Sequence, residues 1–213
     1  LMALLEAQTQ RRQVKTHTAL DGIPYWPQVR YITVYRHPID VHFSFRDHVS
    51  NMNPDFFDRF YPEDISEGFR LFLEGDHFDA VSLEMILDHY QATRARASRE
   101  TLLQLHYLDM TRDLRGSVAR IADFIGIKVT PDVLDAVTQA TQFDTMRAKA
   151  ECFVPGAGKG LWRDEQAFFH TAGARNWQDK LTSGDLAAYD ARMDAALSPK
   201  DRRWLEFGSA GQL

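Results

Sequence analysis

Two short polar tips on apolar runs carry the groups best suited to chemistry. One is Lys15-Thr16-His17, and the other is Arg36-His37-Pro38. An unperturbed imidazole titrates near neutral pH, so His17 could accept a hydroxyl proton at working pH. Arg36 offers a charged fork and Ser44 a hydroxyl, a pair that could face a phosphate. Plainer readings stand beside these. A lone histidine after a strand is often structural, and an arginine at a strand end often pairs with a carboxylate. Ser44 alone is an ordinary helix residue that could bond back toward Asp40. Two other patterns fail on spacing. His37, His42 and His48 lack the i, i+4 pattern that puts two ligands on one helix face, and no cysteine stands near them, so no metal is expected. Gly156-Ala157-Gly158-Lys159-Gly160 does not match Gly-x-x-x-x-Gly-Lys-Ser/Thr and follows no strand. It reads as a mobile loop in a locally basic region with Arg147, Lys149, Arg163 and Arg175.

These groups need elements to hold them. Residues 1–12 read as a helix end and Gln13 to Thr16 as a short strand, with a Gly- and Pro-containing loop from Ala19 to Pro27. Arg30 to Tyr35 is β-branched and aromatic, which predicts a strand. Pro38 suits the first turn of a helix, where no N–H is needed, and Asp40 places a carboxylate near its positive end. That helix runs through Val49. Asn51 to Glu63 has no clean period and reads as a loop. Helices follow over Ser66–Glu74 and Ala80–Ser98, the second with Val81, Met85, Ile86, Leu87 and Tyr90 on its apolar side. Leu102 to Tyr107 is the next strand. Further helices are expected over Arg115–Ile125, stopped by Gly126, then Asp132–Thr141, Phe143–Ala150 and Ser183–Leu197, with Pro199 marking the end of the last. Strands alternating with helices imply an α/β fold with a central, mostly parallel sheet. In such a sheet ligands bind beyond the carboxyl ends of the strands, where His17 and Arg36 both stand, and a helix starting at Pro38 would aim free N–H groups into the same crevice.

A chain of 213 residues, 44% hydrophobic and 26% charged, suits one globular domain. The net charge of −5 gives no global basic field, so nucleic acid is not an expected partner. A local cationic pocket is compatible with that charge. Cys152 is the only cysteine, which excludes an internal disulfide and points to a reducing, cytoplasmic setting. No run approaches the roughly 18 apolar residues that a transmembrane helix requires. A homo-oligomer is neither required nor excluded. Because the first residue is leucine, upstream sequence is expected.

Five segments, in order, resemble the sulfotransferases that use 3′-phosphoadenosine 5′-phosphosulfate (PAPS), both the cytosolic type and its bacterial relatives. "VKTHTALDGIP" resembles a Lys-Thr/Ser-His-Leu-Pro segment whose histidine is the catalytic base, which implies that role for His17 with Lys15 beside it. "YITVYRHPIDVHFSF" resembles the pattern Arg-Asn-Pro-x-Asp-x-x-x-Ser, whose arginine and serine hold the nucleotide 3′-phosphate; these are Arg36 and Ser44. "LHYLDMTRDLRGSVARIADFIGI" is similar to a Tyr-Glu-Asp-Met/Leu segment whose tyrosine, here Tyr107, lies near the nucleotide. "ATQFDTMRAK" resembles Thr-Ser-Phe-x-x-Met, which cradles adenine and corresponds to Thr141, Phe143 and Met146. "FFHTAGARNWQDKLT" resembles the late Phe-x-Arg-Lys-Gly-x-x-Gly-x-Trp segment. Residues 13–182 are covered.

The resemblance implies one sulfotransferase domain over residues 1–213 of P-loop NTPase-like fold, with its N-terminal strand-loop-helix missing. That missing piece would carry the 5′-phosphosulfate loop, Pro-Lys-Ser-Gly-Thr-x-Trp, expected before Leu1. The late segment also departs from the pattern. Anchored on Trp177, its Arg-Lys-Gly becomes His170-Thr171-Ala172, and Arg175 or Lys159 is the expected compensation. The implied reaction moves a sulfuryl group from PAPS to a hydroxyl or amine of a small-molecule, glycan or lipid acceptor, leaving PAP, with no metal. Asn51 to Tyr61, Phe78 and Phe153 are the expected acceptor-pocket residues, with core packing as the equal alternative. Competing classes are a silent sulfotransferase-like nucleotide-binding protein and a related phosphotransferase. The latter needs a Walker-type loop and a magnesium carboxylate, neither visible here.

Overall fold

The computed structural model describes residues 7–55, 62–75, 81–97, 100–169 and 177–212. Two strands, β1 (Tyr31–Tyr35) and β2 (Leu102–His106), pair in parallel, with Tyr31 opposite Leu102 and Tyr35 opposite His106. Parallel neighbours require a long crossover. Here it contains α1 (Pro38–Ser50), α2 (Ile65–Glu74) and α3 (Leu83–Ala95). Because the register is in step, both strands end together, and Arg36 and Tyr107 leave the sheet side by side.

Local chemistry starts each helix where it does. His37 caps α1: its Nδ1 accepts from the Ile39 N–H at 3.2 Å, and Pro38 fills the first turn. The Asp64 carboxylate caps α2, accepting from the Glu67 N–H at 2.7 Å, and α2 stops at Gly75 with φ 75°. Ser82 caps α3. His106 ends β2 and caps α4 (Tyr107–Arg112). Its Nδ1 accepts from the Leu108 N–H at 3.2 Å, so Nε2 carries the proton and donates to the Leu205 carbonyl at 3.0 Å. Beyond lie α5 (Leu114–Phe124), α6 (Pro131–Ala140), α7 (Phe143–Ala148), α8 (Ala150–Phe153), α9 (Ser183–Ala196) and α10 (Pro199–Phe207).

The core gathers Ile39 and Phe43 of α1, Phe69 and Phe72 of α2, Leu83, Leu87 and Tyr90 of α3, and Tyr189, Met193 and Leu205 of the last two helices. His42 sits among the rings of Phe43, Phe69 and Phe72 and has no exposed surface. Burial, aided by the charge of Arg46, pushes its imidazole down from 6.5 to about 3. Between those values the unfolded chain binds a proton that the folded chain refuses. The stability contribution is therefore complete above pH 6.5 and shrinks as pH falls, by up to about 1.4 kcal/mol per pH unit. His42→Leu should lower the slope of unfolding free energy against pH by about that amount between pH 6.5 and 5. An unchanged slope in urea titrations would refute this.

Several expectations are corrected. Residues 7–12 are not helical, and Gln13–Thr16 is not a strand. That stretch is exposed, Val14 at 88%, and finds no ladder partner among the described residues. Residues 1–6 lie outside the described residues. Met85 is exposed rather than on the packed side of α3. Gly156 to Gly160 is a series of turns rather than a free loop: the Asn53 amide donates to the Gly160 carbonyl at 2.9 Å, and Gly156 has φ 72° where an added Cβ would strike Leu161. Pro199 not only follows the end of α9 but opens α10, with Ser198 as its cap.

Candidate active site

A cavity of about 660 Å³ opens where the two strands end. That is within the usual range for ligand sites. One wall is α1. Asp40, Ser44, Asp47 and His48 recur at helical spacing and face the cavity, with Phe43 beneath them. Arg36 and Tyr107 form the floor, and the Arg36 guanidinium lies 4.6 Å from the Tyr107 ring centre. Thr141, at the end of α6, and Phe143 and Met146 of α7 form the opposite wall. Phe168 and Phe169 close the side, and Phe143 meets Phe169 edge-on at 6.3 Å. Six of the sequence-predicted residues thus come together from three separate segments: Arg36 and Ser44, Tyr107, and Thr141, Phe143 and Met146.

Electrostatics at the floor are tightly arranged. Arg36 lies 3.9 Å from the buried carboxylate of Asp40, whose other oxygen accepts from the Trp177 indole N–H at 2.8 Å. Trp177 is itself buried and packs on His37, the cap of α1. Trp177 therefore ties the last segment of the site to the helix that carries Ser44. Trp177→Phe keeps most of the ring and removes the donor to a buried carboxylate. It should cost about 1–3 kcal/mol of stability, read by urea denaturation. No loss would mean that the hydrogen bond carries no net stability. Thr141 donates its hydroxyl to the Val137 carbonyl at 2.9 Å, so its oxygen lone pairs are left to accept.

Lys15 and His17 stand elsewhere. Both are exposed on irregular chain and neither lines the cavity. His17 lies near His89, whose imidazole is held below its usual range, chiefly by burial. His89 Nδ1 contacts the Tyr35 hydroxyl at 2.7 Å, and that hydroxyl donates to Thr93 at 2.6 Å. Burial pushes the Tyr35 phenol up to about 12, so it stays a neutral donor. Consecutive residues of one strand end thus serve two sides: Tyr35 the His17 side, Arg36 the cavity.

Other expectations divide similarly. Arg175, Phe78 and residues 56–61 lie outside the described residues. Lys159 and Phe153 do not line the cavity, the latter being 46% exposed. The structure adds Phe168, Phe169 and Lys180, which lie in the late matched segment but were assigned no role there. Among the described residues there is no group of three or more His, Cys, Asp or Glu arranged to hold a metal, and no helix long and apolar enough to cross a membrane.

Comparison with known proteins places this geometry. A family model described as the sulfotransferase domain matches residues 2–201. The chain belongs to the sulfotransferase family. The glycolipid sulfotransferase of Mycobacterium bovis BCG is 29% identical over 242 aligned positions, covering 99% of this chain and 74% of the relative. The glycolipid sulfotransferase of Mycobacterium tuberculosis H37Rv gives the same identity over 241 positions, again covering 99% and 74%. Among solved structures, mouse sulfotransferase SULT7A1 complexed with PAP superposes with a TM-score of 0.76 at 22% identity, covering 95% of this chain and 72% of that one. The fold is therefore that of the sulfotransferases, and the family's reaction is sulfuryl transfer.

Proposed function

We propose that this chain transfers a sulfuryl group from PAPS to a hydroxyl or amine of a small-molecule, glycan or lipid acceptor, releasing PAP. The observation that carries the reading is the convergence of Arg36, Ser44, Tyr107, Thr141, Phe143 and Met146 on one cavity at the carboxyl ends of parallel strands. The cavity fits the nucleotide half of PAPS. Phe143 and Met146 offer apolar surface to a base, Thr141 an acceptor, and Arg36 and Ser44 donors to a phosphate. Similarity to glycolipid sulfotransferases favours a glycan or lipid hydroxyl as the acceptor.

PAPS supplies an activated sulfuryl group when bound. His17 takes the proton of the acceptor hydroxyl as the new O–S bond forms. The bond from sulfur to the bridging oxygen breaks, and its electron pair leaves on the 5′-phosphate of PAP. Lys15 offsets negative charge gathering on the sulfuryl oxygens, and Arg36 and Ser44 contribute orientation rather than chemistry. In this reading residues 1–213 act as one domain, and no metal takes part.

A thermal-shift comparison tests the class. PAP should raise the melting temperature of the full-length protein and ATP should not, since a ligand at a hundred times its dissociation constant adds about 2.7 kcal/mol. An ATP-only response would favour a phosphotransferase. The late His170-Thr171-Ala172 departure gives a silent nucleotide-binding protein some standing. PAP release on adding PAPS with acceptor separates the two.

A further inference from the structure

Arg36 is a poor match for a phosphate if it acts alone. A phosphomonoester carries about 1.5 to 2 negative charges at neutral pH. Arg36 carries one positive charge, and the buried carboxylate of Asp40, 3.9 Å away, already offsets it. Among the described residues of the cavity, a terminal phosphate arriving at Arg36 would meet a cation already facing a carboxylate, with the Ser44 hydroxyl nearby. The late Arg-Lys pair that serves this purpose in the resembling pattern is replaced by His170-Thr171.

Among the described residues, the lysines and arginines lining the cavity are Arg36 and Lys180. The Lys180 ammonium lies 5.4 Å from the ring centre of Phe43, the neighbour of Ser44 on α1. Its backbone is fixed on both sides. The Lys180 and Leu181 N–H groups donate to the Trp177 carbonyl at 2.9 and 3.3 Å, Trp177 and Leu181 are buried, and Thr182 then caps α9. The same Trp177 holds Asp40 through its indole. One turn, anchored through Trp177, therefore ties Lys180 to the helix wall that carries Asp40, and the Lys180 side chain lines the cavity beside Phe43.

Resting on the PAPS reading above, we infer that Lys180 is the second cation for the nucleotide 3′-phosphate. It supplies the net positive charge that the Arg36–Asp40 pair lacks and replaces the late Arg-Lys contacts. It thereby sets the preference for a nucleotide bearing a 3′-phosphate over one without.

The test is calorimetric titration of the full-length protein, wild type and variants, with PAP and with adenosine 5′-monophosphate at fixed salt. Wild type binds PAP more tightly. Lys180→Met weakens PAP about tenfold or more and leaves the monophosphate within about twofold, and Lys180→Arg restores most of the loss. An equal loss for both ligands, or none for PAP, overturns the role of Lys180 while leaving the nucleotide site standing. A wild type that shows no preference for PAP overturns the PAPS reading and this inference together. Lys180 is exposed, its one ring contact among the described residues is with Phe43, and equal melting temperatures of the unliganded variants verify the fold.

Discussion

His17→Ala should lower turnover with PAPS by about 10²- to 10⁴-fold while leaving PAP affinity within about twofold. The split follows from geometry and chemistry together. His17 lies on exposed chain outside the cavity lined by Arg36 and Ser44, so its removal takes nothing from the nucleotide contacts. In the proposed mechanism it removes the proton acceptor, and without one the acceptor hydroxyl must attack while still protonated. Single-turnover assays read the first quantity and calorimetry the second. Unchanged turnover would dismiss His17 as the base. A parallel loss of PAP binding would make it a structural or nucleotide-contacting residue instead.

Arg36→Gln should weaken PAP about 10- to 150-fold, the equivalent of losing a charged hydrogen-bond set worth about 1.5–3 kcal/mol. Glutamine keeps a donor but loses the fork and the charge. It also removes the cation over the Tyr107 ring and leaves Asp40 with the indole of Trp177. The loss should shrink as salt rises, because the lost term is electrostatic. At saturating PAPS, turnover should recover most of its wild-type value, since in the proposed mechanism Arg36 positions the nucleotide rather than moving a proton. If turnover at saturation falls as far as affinity does, Arg36 acts in the transition state as well.

The parts of the fold that local rules dictate were legible. Alternating β-branched and aromatic residues mark β1, Pro38 and Asp40 mark the start of α1, and Gly126 marks the stop after α5. The convergence of Arg36, Ser44, Tyr107, Thr141, Phe143 and Met146 on one cavity was foreshadowed because each sits in a short segment with recognisable spacing. What failed depended on distant partners. Gln13 to Thr16 has strand-like residue types, but a strand exists only through its ladder, and this one has none among the described residues. Pro199 reads as a terminator until Ser198 before it and Asp201 after it are seen to form the start of α10. The Trp177–Asp40 bond joins residues 137 positions apart, and no local pattern announces it. Lys180 had a faint signal: it lies just past the anchoring Trp177, in a segment where the expected cations were absent.

The most direct measurement is a crystal structure of the full-length protein grown with PAP. The account predicts the adenine against Phe143 and Met146 and the 3′-phosphate bonded to Arg36, Ser44 and Lys180. PAP bound elsewhere, or in this cavity with its 3′-phosphate turned away from Arg36, would contradict it.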